Sequence, residues 1–141
     1  MNRPLTPPDA VYVTLCSYLG LSARDLAEIG GFSDRFARDL LAGRRPLPQD
    51  VKRAIFDLYR DFESIVKAAQ TDVFAGEGGF FIYRTNEQLR ASPYGRALMA
   101  KGNAAAAFVG PYRAAMFKVW EWAMRERNQM VSLEFAETPE V

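Results

Sequence analysis

Arg35 and Arg38 stand three residues apart in the segment Ser33-Asp34-Arg35-Phe36-Ala37-Arg38-Asp39-Leu40-Leu41, and Arg44-Arg45 follow after Gly43. In a helix, a spacing of three puts both guanidinium groups on one face. A guanidinium is a planar fork of donors that matches the major-groove edge of guanine or a phosphate. Ala37 and Leu40 fall on the opposite face, so the pattern sets arginines outward and apolar side chains inward. Ser33, Asp34, Arg35, Arg38, Asp39 and Ala42 form the expected outward face. Arg35 and Arg38 are the candidates for base reading. Ser22 and Ser33, each at an expected helix start, are candidates for holding phosphates through hydroxyl and backbone N–H groups. Arg44 and Arg45 would lie near a duplex backbone, and Arg24, Lys52 and Arg53 are weaker phosphate candidates. Asp34 is counted with the DNA-contacting set, since a carboxylate can orient an arginine or accept from a cytosine amino group.

Other chemistries have less to work with. The 141 residues contain no histidine, which removes imidazole acid–base catalysis and nearly all zinc sites. No carboxylate pair stands apart from a solvated helix face. The expectation is therefore a protein that is not an enzyme and needs no cofactor or metal. Cys16, the single cysteine, falls at an apolar helical position and reads as a buried thiol. Net charge is +1, so any attraction for nucleic acid must come from how the charge is distributed. Hydrophobic residues at 49% and charged residues at 25% fit a globular domain. No run has the length of a membrane span, and the Pro-rich start has no apolar signal core, which leads us to expect a cytoplasmic protein.

The arginines need a scaffold, and the punctuation supplies one. Thr6-Pro7-Pro8-Asp9 opens a first helix, with Thr6 as cap, Pro7 in the first turn and Asp9 favourable to the helix dipole. Val11, Leu15, Tyr18 and Leu19 follow at helical spacing, and Gly20 stops it. Ser22, with Asp25 three residues on, caps a short second helix that ends at Gly30-Gly31. Ser33 caps the third, and Gly43 ends it. Two short helices, a small residue at Ala27, a glycine four positions later at Gly31, Leu26 and Phe32 at the turn, and Ala37 and Leu40 behind the third helix form the pattern of a helix-turn-helix. After Arg44-Arg45-Pro46-Leu47-Pro48 a long fourth helix begins near Gln49. Its apolar seam is Val51, Ile55, Leu58, Phe62, Ile65 and Ala69.

Ala75-Gly76-Glu77-Gly78-Gly79 breaks the chain and divides the expected domains at 1–74 and 75–141. Phe80 to Tyr83 reads as a buried strand and Asn86 to Ala91 as a short helix stopped by Ser92-Pro93. The Gly- and Ala-rich stretch from Tyr94 to Val109 has no clear period. A last helix opens at Gly110-Pro111, with Tyr112, Met116, Val119, Trp120, Ala123 and Met124 on one face and Phe117 and Trp122 off it. Val131 to Phe135 alternates as a final strand, and Glu137 to Val141 reads as a tail. Two short strands and a broadly apolar helix ask for cover beyond one chain. Phe81, Tyr83, Tyr112, Met116, Phe117, Trp120 and Trp122 are the expected dimerisation residues. The fold class is mainly α (α+β): a helix-turn-helix bundle of four to five helices with a small C-terminal α/β dimerisation module.

Ser33-Asp34-Arg35, Gly43-Arg44, Pro48, Asp50-Val51 and Asp57-Leu58, with the strand ending at Tyr83 and the Gly-x-x-Arg of Gly110 to Arg113, resemble the YdiL-like helix-turn-helix regulators, a group that includes anti-CRISPR-associated phage autorepressors. The resemblance covers roughly residues 5–135 and rests on short motifs. It implies a homodimer that represses its own operon by binding an inverted-repeat operator in double-stranded DNA, with RNA as a further partner in some members. By position, Arg35 matches the recognition-helix arginine and Arg44 the basic residue after the glycine. Leu40 and Leu41 replace the tryptophan and acidic residue common in that group. The competing reading is a protein-interaction or phage assembly module that keeps the helix-turn-helix shape.

Overall fold

The computed structural model describes residues 7–137. It is mainly helical, with a small two-stranded sheet near its C-terminal end. The chain forms two compact units, one extending to Asp57 and the other from Leu58.

In the first unit α1 (Asp9–Tyr18), α2 (Ala23–Gly30) and α3 (Asp34–Leu41) lead into the start of α4 (Gln49–Phe74). The proposed Thr6 cap lies outside the described residues. The helix starts at Asp9, so Pro7 lies ahead of it and not in its first turn, and Pro8 precedes it in extended backbone without a side-chain cap. Asp9 serves the tertiary fold. One carboxylate oxygen accepts from the Leu47 N–H at 3.0 Å, and the other meets the Lys52 ammonium at 3.1 Å, so Asp9 ties α1 to the connector and to α4. Those two partners hold the carboxyl below its ordinary value of 3.8. A depressed carboxyl contributes stability that is complete above the unfolded-state value and lost as pH falls through the folded one. Asp9→Asn should therefore lower stability at neutral pH and flatten the acid limb below about pH 4 in a pH series of urea melts. The core of this unit contains Cys16, Leu19, Leu26, Ala37, Leu40, Val51 and Ile55. Cys16 is buried as expected, and burial pushes its thiol up to about 11.

The second unit starts inside α4. Leu58, Phe62, Ile65, Ala69 and Val73 are buried in it, the Asn103 amide donates to the Asp61 carbonyl at 2.9 Å, and the Ala104 N–H donates to the Asp61 carboxylate at 2.9 Å. The division between the two compact units thus falls inside α4, between Asp57 and Leu58. The break is only the turn between α4 and β1 (Gly79–Ile82). β1 is half-buried, with Phe81 outward and Tyr83, just past its end, inside. β2 (Ser132–Phe135) pairs with it in parallel, Gly79 opposite Ser132 and Ile82 opposite Phe135. The two short strands thus pair within one chain. Gly79 is required there, since a Cβ would stand 2.8 Å from the Ser132 Cβ and 2.9 Å from its carbonyl oxygen.

The unpatterned stretch is mostly helix. α5 (Asn86–Ala91) hands over to α6 (Pro93–Ala100) at Ser92, which ends one helix and caps the next by accepting from the Gly95 N–H at 3.0 Å. A 3-10 turn at Ala105–Ala107 precedes α7 (Val109–Arg127). A Cβ at Gly95 would overlap the Leu89 carbonyl oxygen and lie 2.8 Å from the Ser92 hydroxyl. Gly95→Ala should cost about 1–3 kcal/mol, the range for forcing atoms into a packed site, read as a lowered urea midpoint. Among the described residues no helix is long and apolar enough to cross a membrane.

Candidate nucleic-acid interface

Helices α2 and α3 are shaped by local hydrogen bonds. The Ser22 hydroxyl accepts from the Asp25 N–H at 3.0 Å while the Asp25 carboxylate accepts from the Ser22 N–H at 3.1 Å, a full capping box. At the other end Gly31 takes φ +72°, where its N–H and that of Phe32 both donate to the Ala27 carbonyl at 2.8 and 3.1 Å. That left-handed residue stops α2 and turns the chain within two residues into the Ser33 cap, whose hydroxyl accepts from the Phe36 N–H at 3.1 Å. Phe32 packs edge-on against Phe36, ring centroids 4.9 Å apart, and fills the turn.

The orientation of α3 follows. Ala37 and Leu40 are buried, at 0% and 1% exposure, and Leu26 of α2 is buried with them. Ser33, Asp34, Arg35, Arg38 and Ala42 are exposed, and Asp39 is partly so. Arg35, Arg38 and Ala42, at positions i, i+3 and i+7, make one outward stripe. Neither Arg35 nor Arg38 forms an ion pair among the described residues, so both guanidinium groups have their donors open.

Arg44 and Arg45 are arranged differently. The Arg44 guanidinium meets one Asp39 carboxylate oxygen at 3.1 Å, and Arg45 approaches the other at 3.7 Å. Arg45 also lies over the Phe36 ring at 5.7 Å. Both stay largely exposed, at 71% and 61% for their side chains. Asp39 therefore gathers two arginines at the C-terminal end of α3. Phe36 as the platform for Arg45 was missed; its signal was an aromatic ring flanked by arginines in sequence.

Of the weaker phosphate candidates, Lys52 is committed to Asp9 and mostly covered, its ammonium over the Tyr12 ring, while Arg24 and Arg53 are exposed. Ser22 and Ser33 are both exposed, but they are not equivalent. Asp25 already satisfies the backbone of the Ser22 end and places a carboxylate there. The start of α3 has no such carboxylate bound back onto its cap.

The expected dimerisation residues fall into two groups. Tyr83, Tyr112 and Met116 are core of their own unit: Tyr112 is 1% exposed and donates to the Phe81 carbonyl at 2.9 Å, and Met116 is fully buried. They are corrected to internal packing residues, since apolar character alone does not tell which chain covers a side chain. Phe81 and Phe117 are each 56% exposed, and Trp120 and Trp122 are partly exposed. Phe117 stacks on Trp120 at 5.8 Å, and Trp122 meets Phe74 edge-on at 5.4 Å. No family model and no curated protein matches this chain. The site's reading therefore rests on its own geometry.

Proposed function

We propose that the chain is a sequence-specific DNA-binding transcriptional regulator, a cytoplasmic repressor of the YdiL-like kind that controls its own phage or prophage operon. The observation that carries this reading is the outward stripe of α3: Arg35 and Arg38 exposed and without ion pairs among the described residues, on a helix whose reverse face is sealed by Ala37 and Leu40. A helix so braced can enter the major groove, with its arginines reaching base edges and the Ser33 end and Arg44 near phosphates. One such helix reads a few base pairs, and a two-fold dimer on an inverted repeat doubles that.

Two features of the second unit support self-association. Phe117, Trp120 and Met124 line α7 at positions i, i+3 and i+7 with part of their surface open. The second is the ladder of β2. The Ser132 and Ala136 N–H groups donate to Gly78 and Ile82, each at 2.9 Å. Alternation then turns the N–H and C=O groups of Leu133 and Phe135 to the outer edge, where an antiparallel copy can pair.

A mobility-shift assay on the DNA upstream of the protein's own coding sequence tests the reading. A specific complex that weakens steeply with added salt is the expected result, because phosphate contacts release counterions. No retardation at low salt by folded, dimeric protein ends it. The competing protein-interaction reading is favoured by one observation, the partial neutralisation of Arg44 and Arg45 by Asp39. Under it, charge reversal at Arg35, Arg38 and Arg44 leaves function intact, and loss of Phe117 or Trp122 abolishes it.

A further inference from the structure

A groove of about 700 Å³ opens in the second unit between the end of β1, α5 and the residues that follow β2. That volume is within the range of small-molecule sites. Its apolar wall is the exposed ring of Phe81 with Ala91 and Pro93, backed by buried Tyr83. Its polar groups divide sharply by whether they are already used. The Arg84 guanidinium donates to the Ala136 carbonyl at 3.1 Å and lies over the Phe135 ring at 4.4 Å. The Gln88 amide donates to the same carbonyl at 3.2 Å, and its oxygen accepts from the Arg84 N–H at 2.9 Å. These bonds fasten the strand end to α5 and turn one face of the Arg84 guanidinium toward it. Glu87 and Glu137, by contrast, line the groove, are exposed, and form no ion pair among the described residues; only the Glu137 main-chain carbonyl is engaged, accepting from the Gln88 amide at 3.4 Å.

We infer that this groove binds a flat aromatic organic cation, a ligand class unrelated to the nucleic acid proposed for α3. An aromatic body gains by covering Phe81, Ala91 and Pro93. A positive centre gains from the two carboxylates and from the face of Phe81, where ring and cation attract. An anion of the same shape meets the two carboxylates, and the one guanidinium in the wall is turned to its own strand. The first turn of α5 accounts for a carboxylate at Glu87 through the helix dipole. It does not account for Glu137, which lines the same groove.

The test uses two xanthene dyes of opposite charge, cationic rhodamine 6G and anionic fluorescein, titrated against the full chain without DNA and followed by fluorescence anisotropy. The expected result is saturable one-to-one binding of rhodamine 6G, with fluorescein at least about tenfold weaker. A Glu87→Gln, Glu137→Gln double variant should weaken rhodamine 6G by about tenfold while its melting curve is unchanged. Ala91→Trp, at an exposed position, should fill the groove and remove binding. Equal affinity for the two dyes overturns the proposal, as does rhodamine 6G binding that survives both variants. Binding seen only with a chain ending at Glu137 also overturns it, and makes the chain's own last residues the occupant.

Discussion

Replacing Arg35 by alanine should leave the protein as stable as before and make it lose its preference among DNA sequences. The side chain is exposed and makes no ion pair among the described residues, so its removal disturbs no packing, and a surface change of this kind stays within about 0.5 kcal/mol. If its fork reads a guanine, the variant should bind operator and unrelated DNA with affinities about 1–3 kcal/mol closer together, roughly a 5- to 150-fold loss of discrimination. Competition mobility shifts with single-base operator variants read this directly. The loss should be confined to one or two positions of each half-site. A uniform loss across all sequences, with a salt slope reduced by about one, would move Arg35 from base reading to phosphate contact. Arg38, one turn on, should give the same signature at a neighbouring base.

Leu40→Ala should produce the converse. Leu40 is 1% exposed and holds α3 from behind, so truncation leaves a cavity and should cost about 2–5 kcal/mol. Urea unfolding followed by circular dichroism measures it. The outward arginines are untouched, so the variant should weaken binding to every DNA sequence alike, through loss of a fixed helix, and keep its base preference at low temperature. The two variants together separate reading from bracing. If Leu40→Ala altered base preference and Arg35→Ala altered stability, the assignment of faces on α3 would be reversed.

How much of this was legible beforehand depended on range. The ends of α2 and α3 were readable because their signals lie within four residues: Ser22 with Asp25, Gly31 after Ala27, and Ser33 ahead of Phe36. The outward set on α3 followed from the same local frame. The unit boundary was not readable. The seam from Val51 to Ala69 keeps one rhythm throughout α4, and nothing in a rhythm says where the covering neighbours change. α6 was missed although its start signal was present. Ser92-Pro93 was taken only as an ending, whereas one serine both closes α5 and caps α6. Tyr112 is buried with its hydroxyl on the Phe81 carbonyl, 31 positions earlier in the chain, and no local window contains that information.

The pairing of Gly79 with Ser132 sets an order of events during synthesis. About fifty positions separate the partners, so the sheet closes a long loop and carries its entropy cost. A growing chain can present α2 and α3, with all of their short-range contacts, while β2 is still inside the ribosome. Nascent chains stalled before Val131 should therefore show a protease-resistant helix-turn-helix ahead of an unassembled second unit, and resistance of that unit should arise only once Phe135 has cleared the exit tunnel.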